Sequence, residues 1–319
     1  MKRFTHEKMA TIRHWLMRTL HQRPAGFTVD MQVLDPDISD SHYAGELIDF
    51  NGVPHVYRPL KTWVEVAESV GGRLQTPHGC DDGYLRLTIR LLNANHSWHL
   101  CQGRSGAHEK YGADSEFQRI HKFEDPIFSR DFSDALDFLQ LSGPMRVLNI
   151  GVNRGDELLA LYEWLASARI HGVESVGIDH SQSAIELARQ RLSDLDVTLV
   201  AADIRQLDPS EMGDFHLIIG LNVLQSPDLD GHATLRMLMR KMLKPSGRIL
   251  LGFPNDRYID HQQVYGARVK NYRTAELSIL IKDVMAYRRY LCQQGFVVKT
   301  TGKNTILLSA RPDPSRRAA

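Results

Sequence analysis

The strongest constraint on the fold is the alternation of short apolar strands and helical patterns that begins at Arg146. Strands that are buried on both faces and joined by helices form a parallel sheet covered on both sides. Only Gly302-Lys303-Asn304 separates the last two strand-like runs, which predicts an antiparallel hairpin. The chain is therefore predicted to be an α/β protein with a doubly wound, mostly parallel seven-stranded sheet that ends in a C-terminal antiparallel hairpin. The runs in question are RVLNIGV, SVGID, VTLVAAD, DFHLIIGL, GRILLGF, FVVKTT and TILLSA.

The 319 residues are enough for two domains at roughly 150 residues each. Residues 1–105 combine a helical pattern near the N-terminus with a strand-like alternation from Tyr84 to Leu92, which predicts a smaller α+β N-terminal domain. We expect this domain to serve substrate recognition or dimerisation, so a homodimer is one expectation. Residues 106–142 are expected to connect it to the sheet domain, residues 143–319.

Composition excludes several classes of protein. The net charge of +1 is not that of a chain built to coat nucleic acid, although residues 254–319 carry 12 Lys and Arg against 5 Asp and Glu. No apolar run is long enough for a transmembrane helix, and the N-terminal residues lack the apolar stretch of a signal peptide. Three scattered cysteines do not make a disulfide framework, so we expect a cytoplasmic protein without a membrane partner.

Metal and dinucleotide sites are not favoured. The spacing of His78, Cys80, His96, His99 and Cys101 matches no strong zinc template, so no metal is predicted. The first strand of the sheet domain runs into a turn that reads Asn149-Ile150-Gly151-Val152-Asn153-Arg154-Gly155-Asp156. A dinucleotide fingerprint would require glycines where Asn153 and Asp156 stand.

The turn resembles the first motif of class I S-adenosylmethionine-dependent methyltransferases, commonly (D/E)-x-G-x-G-x-G. Here it reads N-x-G-x-N-x-G. Gly151 and Gly155 match, whereas Asn149 and Asn153 depart from the usual acid and the usual middle glycine. Asparagine tolerates a left-handed backbone, so Asn153 can hold the turn. Asn149 keeps a side-chain acceptor but lacks the charge that the family often places near the cofactor's amino group.

The resemblance spans about residues 143–312 and implies a Rossmann-like fold, S-adenosyl-L-methionine as cofactor, and methyltransferase activity. It implies that Asp179, at the end of the second strand and followed by His180, binds the ribose hydroxyls. A carboxylate suits this role because it can accept two hydrogen bonds at once. Asp203 would face the adenine amino group, and the backbone N–H of Ile204 would face a ring nitrogen. Alternatively, Asp179 caps the next helix and Asp203 caps a turn.

The methyl-transfer site is expected after the fourth strand. The resemblance places Leu221 and Asn222 there, with Asn222 near the transferred methyl group or else serving as a loop cap. That segment is not the N-P-P-(Y/F) run expected for methylation of an exocyclic base nitrogen.

A long basic and aromatic segment follows the fifth strand and is predicted either to bind the substrate or to form a solvated lid. Its candidate substrate contacts are Tyr258, Tyr265, Arg268 and Lys270, and His261 is a candidate proton acceptor. Residues 106–142 either cover the cofactor, as in related enzymes, or only link the domains.

The sequence thus predicts an enzyme that transfers a methyl group by in-line displacement to an unidentified acceptor. A small molecule and an RNA, such as a tRNA or rRNA, both stay open as acceptors. A non-catalytic, cofactor-binding interaction protein is the alternative from another class, because Asn149 and Asn153 depart from the motif.

Overall fold

The computed structural model describes residues 1–38, 41–80, 82–97, 111–226, 228–265 and 281–316. The chain divides into two compact units. Residues 1–100 and 258–264 form the N-terminal unit, and residues 101–257 and 265–319 form the sheet unit. No sequence pattern indicates that residues 258–264 group with the N-terminal unit. Among the described residues, no helix has the length and apolar character needed to cross a membrane.

The N-terminal unit packs two helices on one face of a small sheet. In α1 (Met9–Leu20), the residues Ile12 and Leu16 lie one turn apart and are fully buried. Helix α2 (Leu60–Ser69) contributes Trp63 to the same core. The strands are β1 (Lys2–Arg3), β2 (Thr28–Leu34), β3 (Leu47–Phe50), β4 (Val53–Val56), β5 (Gly72–Leu74), β6 (His78–Gly79) and β7 (Tyr84–Leu91). Strands β1, β2, β7 and β5 adjoin in that order, β6 pairs with β7, and β3 and β4 form a separate hairpin.

The sheet unit confirms the predicted fold. Its seven strands lie in the order β10-β9-β8-β11-β12-β16-β15, and the first five are parallel. Strands β15 and β16 form the antiparallel hairpin, and β16 also pairs antiparallel with β12. These strands are β8 (Met145–Ile150), β9 (Val173–Asp179), β10 (Val197–Ala201), β11 (Phe215–Leu221), β12 (Leu243–Pro254), β15 (Phe296–Thr301) and β16 (Thr305–Pro312). Between β12 and β15 lies a further hairpin of β13 (Asp256–Ile259) and β14 (Gln262–Tyr265).

Helices cover both faces of this sheet. Residues that alternate along one strand face opposite cores, as Val147 and Leu148 of β8 do. Helices α3 (Pro126–Leu139), α4 (Asp156–Ser167) and α5 (Gln182–Arg191) pack on one face, and α7 (Gly231–Lys241) and α8 (Ile281–Gln293) pack on the other. The short helix α6 spans Pro209–Met212. Since β8 to β12 are parallel, the residues that follow these strands meet at one edge, where such sheets bind ligands.

Candidate active site

The glycine turn after β8 places backbone atoms where a ligand can approach them. Gly151 has a φ of +67° and Gly155 a φ of +87°, which is the left-handed region that favours glycine. A Cβ atom at position 151 would lie 2.5 Å from Cγ2 of Val223, in the segment after β11. Glycine at 151 therefore lets the two segments meet closely at the carboxyl edge of the sheet.

Asp179 ends β9 and directs its carboxylate at the glycine turn. Oδ2 accepts a hydrogen bond from the backbone N–H of Asn153 at 2.9 Å, and Oδ1 accepts one from the backbone N–H of Ser181 at 2.9 Å. The residue is only 6% exposed. An ionised carboxylate offers about four lone-pair sites, so these two bonds leave capacity for further donors. Helix α5 takes its N-cap from Ser181 rather than from Asp179, because the Ser181 hydroxyl accepts from the N–H of Ala184.

His180 extends the polar surface beside Asp179. Its Nδ1 lies 3.3 Å from Oδ1 of Asp179, and this contact raises the pKa of the imidazole. The Tyr111 ring meets the His180 ring edge-on, with centroids 6.1 Å apart. At the pH where His180 is protonated, the pair presents one positive and one negative charge side by side.

Five buried amide oxygens at this edge have no hydrogen-bond partner among the described residues. They are Oδ1 of Asn149, Asn222 and Asn304 and Oε1 of Gln118 and Gln225. Asn149 is fully buried, and its Nδ2 donates to the carbonyl of Ile219 at 3.4 Å. A buried acceptor without a donor costs about 1–3 kcal/mol, so such atoms point to a ligand that donates. The ammonium group of S-adenosylmethionine is such a donor, and the residues present fit it.

Residues 111–121, which we name the cap segment, lie directly on the glycine turn. Nδ2 of Asn153 donates to the carbonyl of Tyr111 at 2.9 Å, and Nε2 of Gln118 donates to Oδ1 of Asn153 at 2.7 Å. The N–H of Ala113 donates to the Ser183 hydroxyl at 3.0 Å, at the start of α5. The segment is thus fastened to the two loops that follow β8 and β9.

Arg154 ties the other end of the cap segment to the same turn. Its guanidinium donates to the carbonyls of Gln118 and Ile120, the latter at 2.8 Å. It also pairs with Asp156 at 2.8 Å, and Asp156 pairs with Arg191 of α5 at 2.6 Å. The Arg154 side chain is only 8% exposed, whereas Asp156 and Arg191 are 23% and 32% exposed, so water reaches the outer part of this network.

Asp203 follows β10, but its carboxylate already has a cationic partner. Nε of Arg205 lies 3.0 and 2.9 Å from the two carboxylate oxygens, and this pairing lowers the pKa of Asp203. An adenine amino group would share this carboxylate with Arg205. Ile204 packs against the core beneath α7 and α8, and Leu221 is 5% exposed at the end of β11.

Glu157, the second residue of α4, is an unusual carboxyl that sequence reasoning missed. Burial raises its pKa to about 7, against an ordinary value of 4.5. Burial also lowers the pKa of Lys122, and the charges of Asp256 and Glu157 act in the opposite direction. No motif marks Glu157, because its environment depends on residues far away in the sequence.

The predicted acceptor-binding residues are divided between the two units. His261 belongs to the N-terminal unit, where its ring contacts that of His96 at 4.5 Å between centroids. The neighbouring Asp260 pairs with His96 at 3.4 Å and with Arg90 at 3.6 Å. Tyr258 also belongs to this unit.

Tyr265, in contrast, lies in the sheet unit and is 51% exposed, with Nζ of Lys303 5.3 Å from its ring centroid. Arg268 and Lys270 lie outside the described residues. Gln118 and Gln225, which the sequence analysis did not select, carry amide oxygens like those of Asn149 and Asn222 but stand in no motif.

Residues 147–247 match the family model of a methyltransferase domain. The matched segment contains the glycine turn, Asp179, Asp203 and Asn222. The match covers about a third of the chain, and this segment is similar to a methyltransferase domain. It supports the predicted enzyme class, a methyltransferase, and S-adenosylmethionine as the cofactor.

Solved structures share parts of this architecture at low similarity. The N-methyltransferase NodS from Bradyrhizobium japonicum, in complex with S-adenosyl-L-homocysteine, is 21% identical, with 60% of this chain and 90% of NodS covered and a TM-score of 0.43. A TehB-like methyltransferase from Corynebacterium glutamicum is 17% identical, with 57% and 87% covered and a TM-score of 0.39. These values are too low to carry conclusions about the acceptor. No curated protein sequence matches the chain.

Proposed function

We propose that the enzyme methylates an acceptor whose reacting nitrogen or oxygen carries a hydrogen, and that Asn222 and Gln225 orient this acceptor. The observation that carries the proposal is the pair of buried amide oxygens without donors directly after β11. An N–H or O–H group of the acceptor would supply the missing donor. A carbon acceptor would leave both oxygens without one, at a cost of about 1–3 kcal/mol each.

The proposed cofactor site uses the residues around the glycine turn. Oδ1 of Asn149 would accept from the cofactor's ammonium group, and the carboxylate of Asp179 would accept from the ribose hydroxyls. The glycine turn from Gly151 to Gly155 would lie against the nucleoside, with His180 beside it. Asp203 and Ile204 would line the adenine end, where Arg205 limits what Asp203 can add, and Leu221 would lie beside the cofactor at the methyl-transfer site.

The protein's contribution to the reaction is mainly placement. The cofactor would supply a methyl group bonded to a sulfonium sulfur, which leaves with the bonding electrons as a neutral thioether, while the hydrogen of the reacting nitrogen or oxygen leaves as a proton. Aligning the reactants can contribute up to about 7–11 kcal/mol. Oδ1 of Asn222 would accept a hydrogen bond from the reacting N–H or O–H group. This bond would direct the lone pair of that nitrogen or oxygen toward the methyl group.

The wider acceptor contacts remain proposals. His261 is the predicted proton acceptor, and Tyr258, Tyr265, Arg268 and Lys270 are the predicted substrate contacts. The N-terminal unit is proposed to recognise the acceptor or to form a homodimer. An RNA acceptor is the second candidate, which the excess of basic residues in 254–319 favours.

The acceptor class can be measured directly. The enzyme is incubated with cell extract and methyl-labelled cofactor, and the label is then counted in small-molecule, RNA and protein fractions. Label in small amines or hydroxyl compounds is expected, while label in RNA would favour the second candidate. No transfer to any fraction, despite cofactor binding, would leave the non-catalytic alternative.

The role of Asn222 can be tested by Asn222→Gly. Asn222 has a φ of +58°, which glycine adopts without strain, so the change removes the amide alone. We expect turnover to fall about tenfold, as for the loss of one orienting hydrogen bond, with little change in affinity for S-adenosylhomocysteine. Asn51→Gly is the matched control, because Asn51 has a φ of +54° in the N-terminal unit. Equal turnover in wild type and Asn222→Gly would contradict the proposal.

A further inference from the structure

Asn153 stands where the family motif usually has its middle glycine. Its φ of +43° explains why glycine suits the position, but not why asparagine occupies it. The side chain makes two hydrogen bonds to the cap segment, one as a donor and one as an acceptor, and its Oδ1 also accepts from the backbone N–H of Arg154 at 2.9 Å. Only an amide of this length can do both from this point, because it carries an N–H donor and an oxygen acceptor on one carbon.

The two cap-segment partners of Asn153 also bond to each other. Nε2 of Gln118 donates both to Oδ1 of Asn153 at 2.7 Å and to the carbonyl of Tyr111 at 3.0 Å. That same Tyr111 carbonyl accepts from Nδ2 of Asn153. The three residues therefore bind one another in a ring of hydrogen bonds, and the Tyr111 side chain contacts His180.

The backbone of Asn153 has a different partner. Its N–H donates to the carboxylate of Asp179 at 2.9 Å. One residue thus connects the cap segment, through its side chain, with the carboxylate proposed to bind the ribose, through its backbone. Displacement of the cap segment breaks the side-chain bonds and leaves the backbone bond in place.

We infer that Asn153 is a positioning residue that fastens the cap segment over the cofactor, so that its side-chain bonds must break before the cofactor can enter or leave. The inference rests on the proposed placement of the cofactor at the glycine turn. Arg154 holds the segment at Gln118 and Ile120 through separate bonds, so that end stays attached when Asn153 releases Tyr111.

The test compares Asn153→Gly with wild type. Glycine keeps the backbone conformation but also removes the acceptor of the Arg154 N–H, so a role limited to holding the turn predicts lower stability without faster exchange in the cap segment. We expect amide hydrogen exchange at Ala113, Ser115 and Gln118 to be about 5- to 150-fold faster in the free protein, as for the loss of two hydrogen bonds. Dissociation of S-adenosylhomocysteine in stopped flow should accelerate by a similar factor.

Arg169→Gly is the matched control. Arg169 also has a positive φ, +56°, but lies exposed after the C-terminal end of α4. This variant should exchange and release ligand at wild-type rates. Gln118→Met removes the bond to Asn153 and the bond from Gln118 to the Tyr111 carbonyl while keeping the side-chain length. Because the two variants share the Gln118–Asn153 bond, the double variant should show less than the sum of the single effects.

Two outcomes would overturn the inference. The first is wild-type exchange and wild-type ligand release in Asn153→Gly, and the second is full additivity with Gln118→Met. If the proposed cofactor site at the glycine turn is wrong, the measurements give a different result from these two outcomes. In that case wild type itself does not bind S-adenosylhomocysteine, while exchange in the free protein still reports whether Asn153 fastens the cap segment.

Discussion

Replacing Asp179 by asparagine tests the cofactor site with a change of a single oxygen atom into an amide nitrogen. The carboxylate accepts from the backbone N–H groups of Asn153 and Ser181, both at 2.9 Å. Asparagine has only one oxygen, so one of these donors would face the NH₂ group instead. The substitution also removes a negative charge from a site that is only 6% exposed.

The expected losses of stability and of cofactor affinity can be worked out from these contacts. Leaving one backbone N–H without an acceptor costs about 1–3 kcal/mol, which should appear as a lower free energy of unfolding. Charge-assisted hydrogen bonds to the ribose hydroxyls are worth about 1.5–3 kcal/mol. Their loss should weaken binding of S-adenosylhomocysteine about 10- to 150-fold. The pKa of His180 should fall, because Asp179 raises it in the wild type.

Calorimetric titration measures the affinity, thermal unfolding measures the stability, and proton NMR follows the His180 titration. Asp49→Asn is the control, since Asp49 accepts from the N–H of Gly52 at 2.9 Å in the N-terminal unit. It should change neither the affinity nor the His180 titration. A folded Asp179→Asn protein with wild-type affinity would remove Asp179 from the cofactor site.

Two further substitutions test the turn and the half-buried carboxyl of Glu157. Gly151→Ala should lower the free energy of unfolding by about 1–3 kcal/mol, because the new Cβ would lie too close to Val223 and the residue has a φ of +67°. Combining it with Val223→Ala should restore part of that loss, as measured by thermal unfolding. An unchanged melting temperature in Gly151→Ala would refute the close approach. Glu157→Gln should stabilise the protein above pH 7, by about 1–3 kcal/mol in urea titrations. The folded protein keeps the Glu157 carboxyl protonated up to about pH 7, whereas the unfolded chain loses this proton near pH 4.5. The wild type therefore loses stability as the pH rises from about 4.5 to about 7. The gain should disappear below about pH 4.5, and an equal gain at both pH values would contradict it.

The fold and the centre of the site could be predicted from the sequence because their causes are local. Period-two burial and short apolar runs fix the strands, and three residues between β15 and β16 leave room only for a hairpin. Gly151 and Asp179 were selected through the resemblance of the turn to the methyltransferase motif, and both follow parallel strands, whose ends meet at one edge of the sheet. The hydrogen bond between the Asn153 N–H and Asp179 agrees with that selection.

Only the tertiary structure decided the role of the cap segment and the environment of Glu157. Asn153 and Gln118 are 35 residues apart, and Asn153 and Tyr111 are 42 apart, with no repeating pattern between them. A hydrogen bond between such side chains depends on how whole elements pack, and sequence periodicity carries no information about that. Sequence periodicity also does not give the pKa of Glu157, because burial raises it. Nor does it show that residues 258–264, which follow β12 in the chain, group with the N-terminal unit. Local preferences determine strands, turns and strand ends, whereas burial and long-range contacts exist only after the chain has folded.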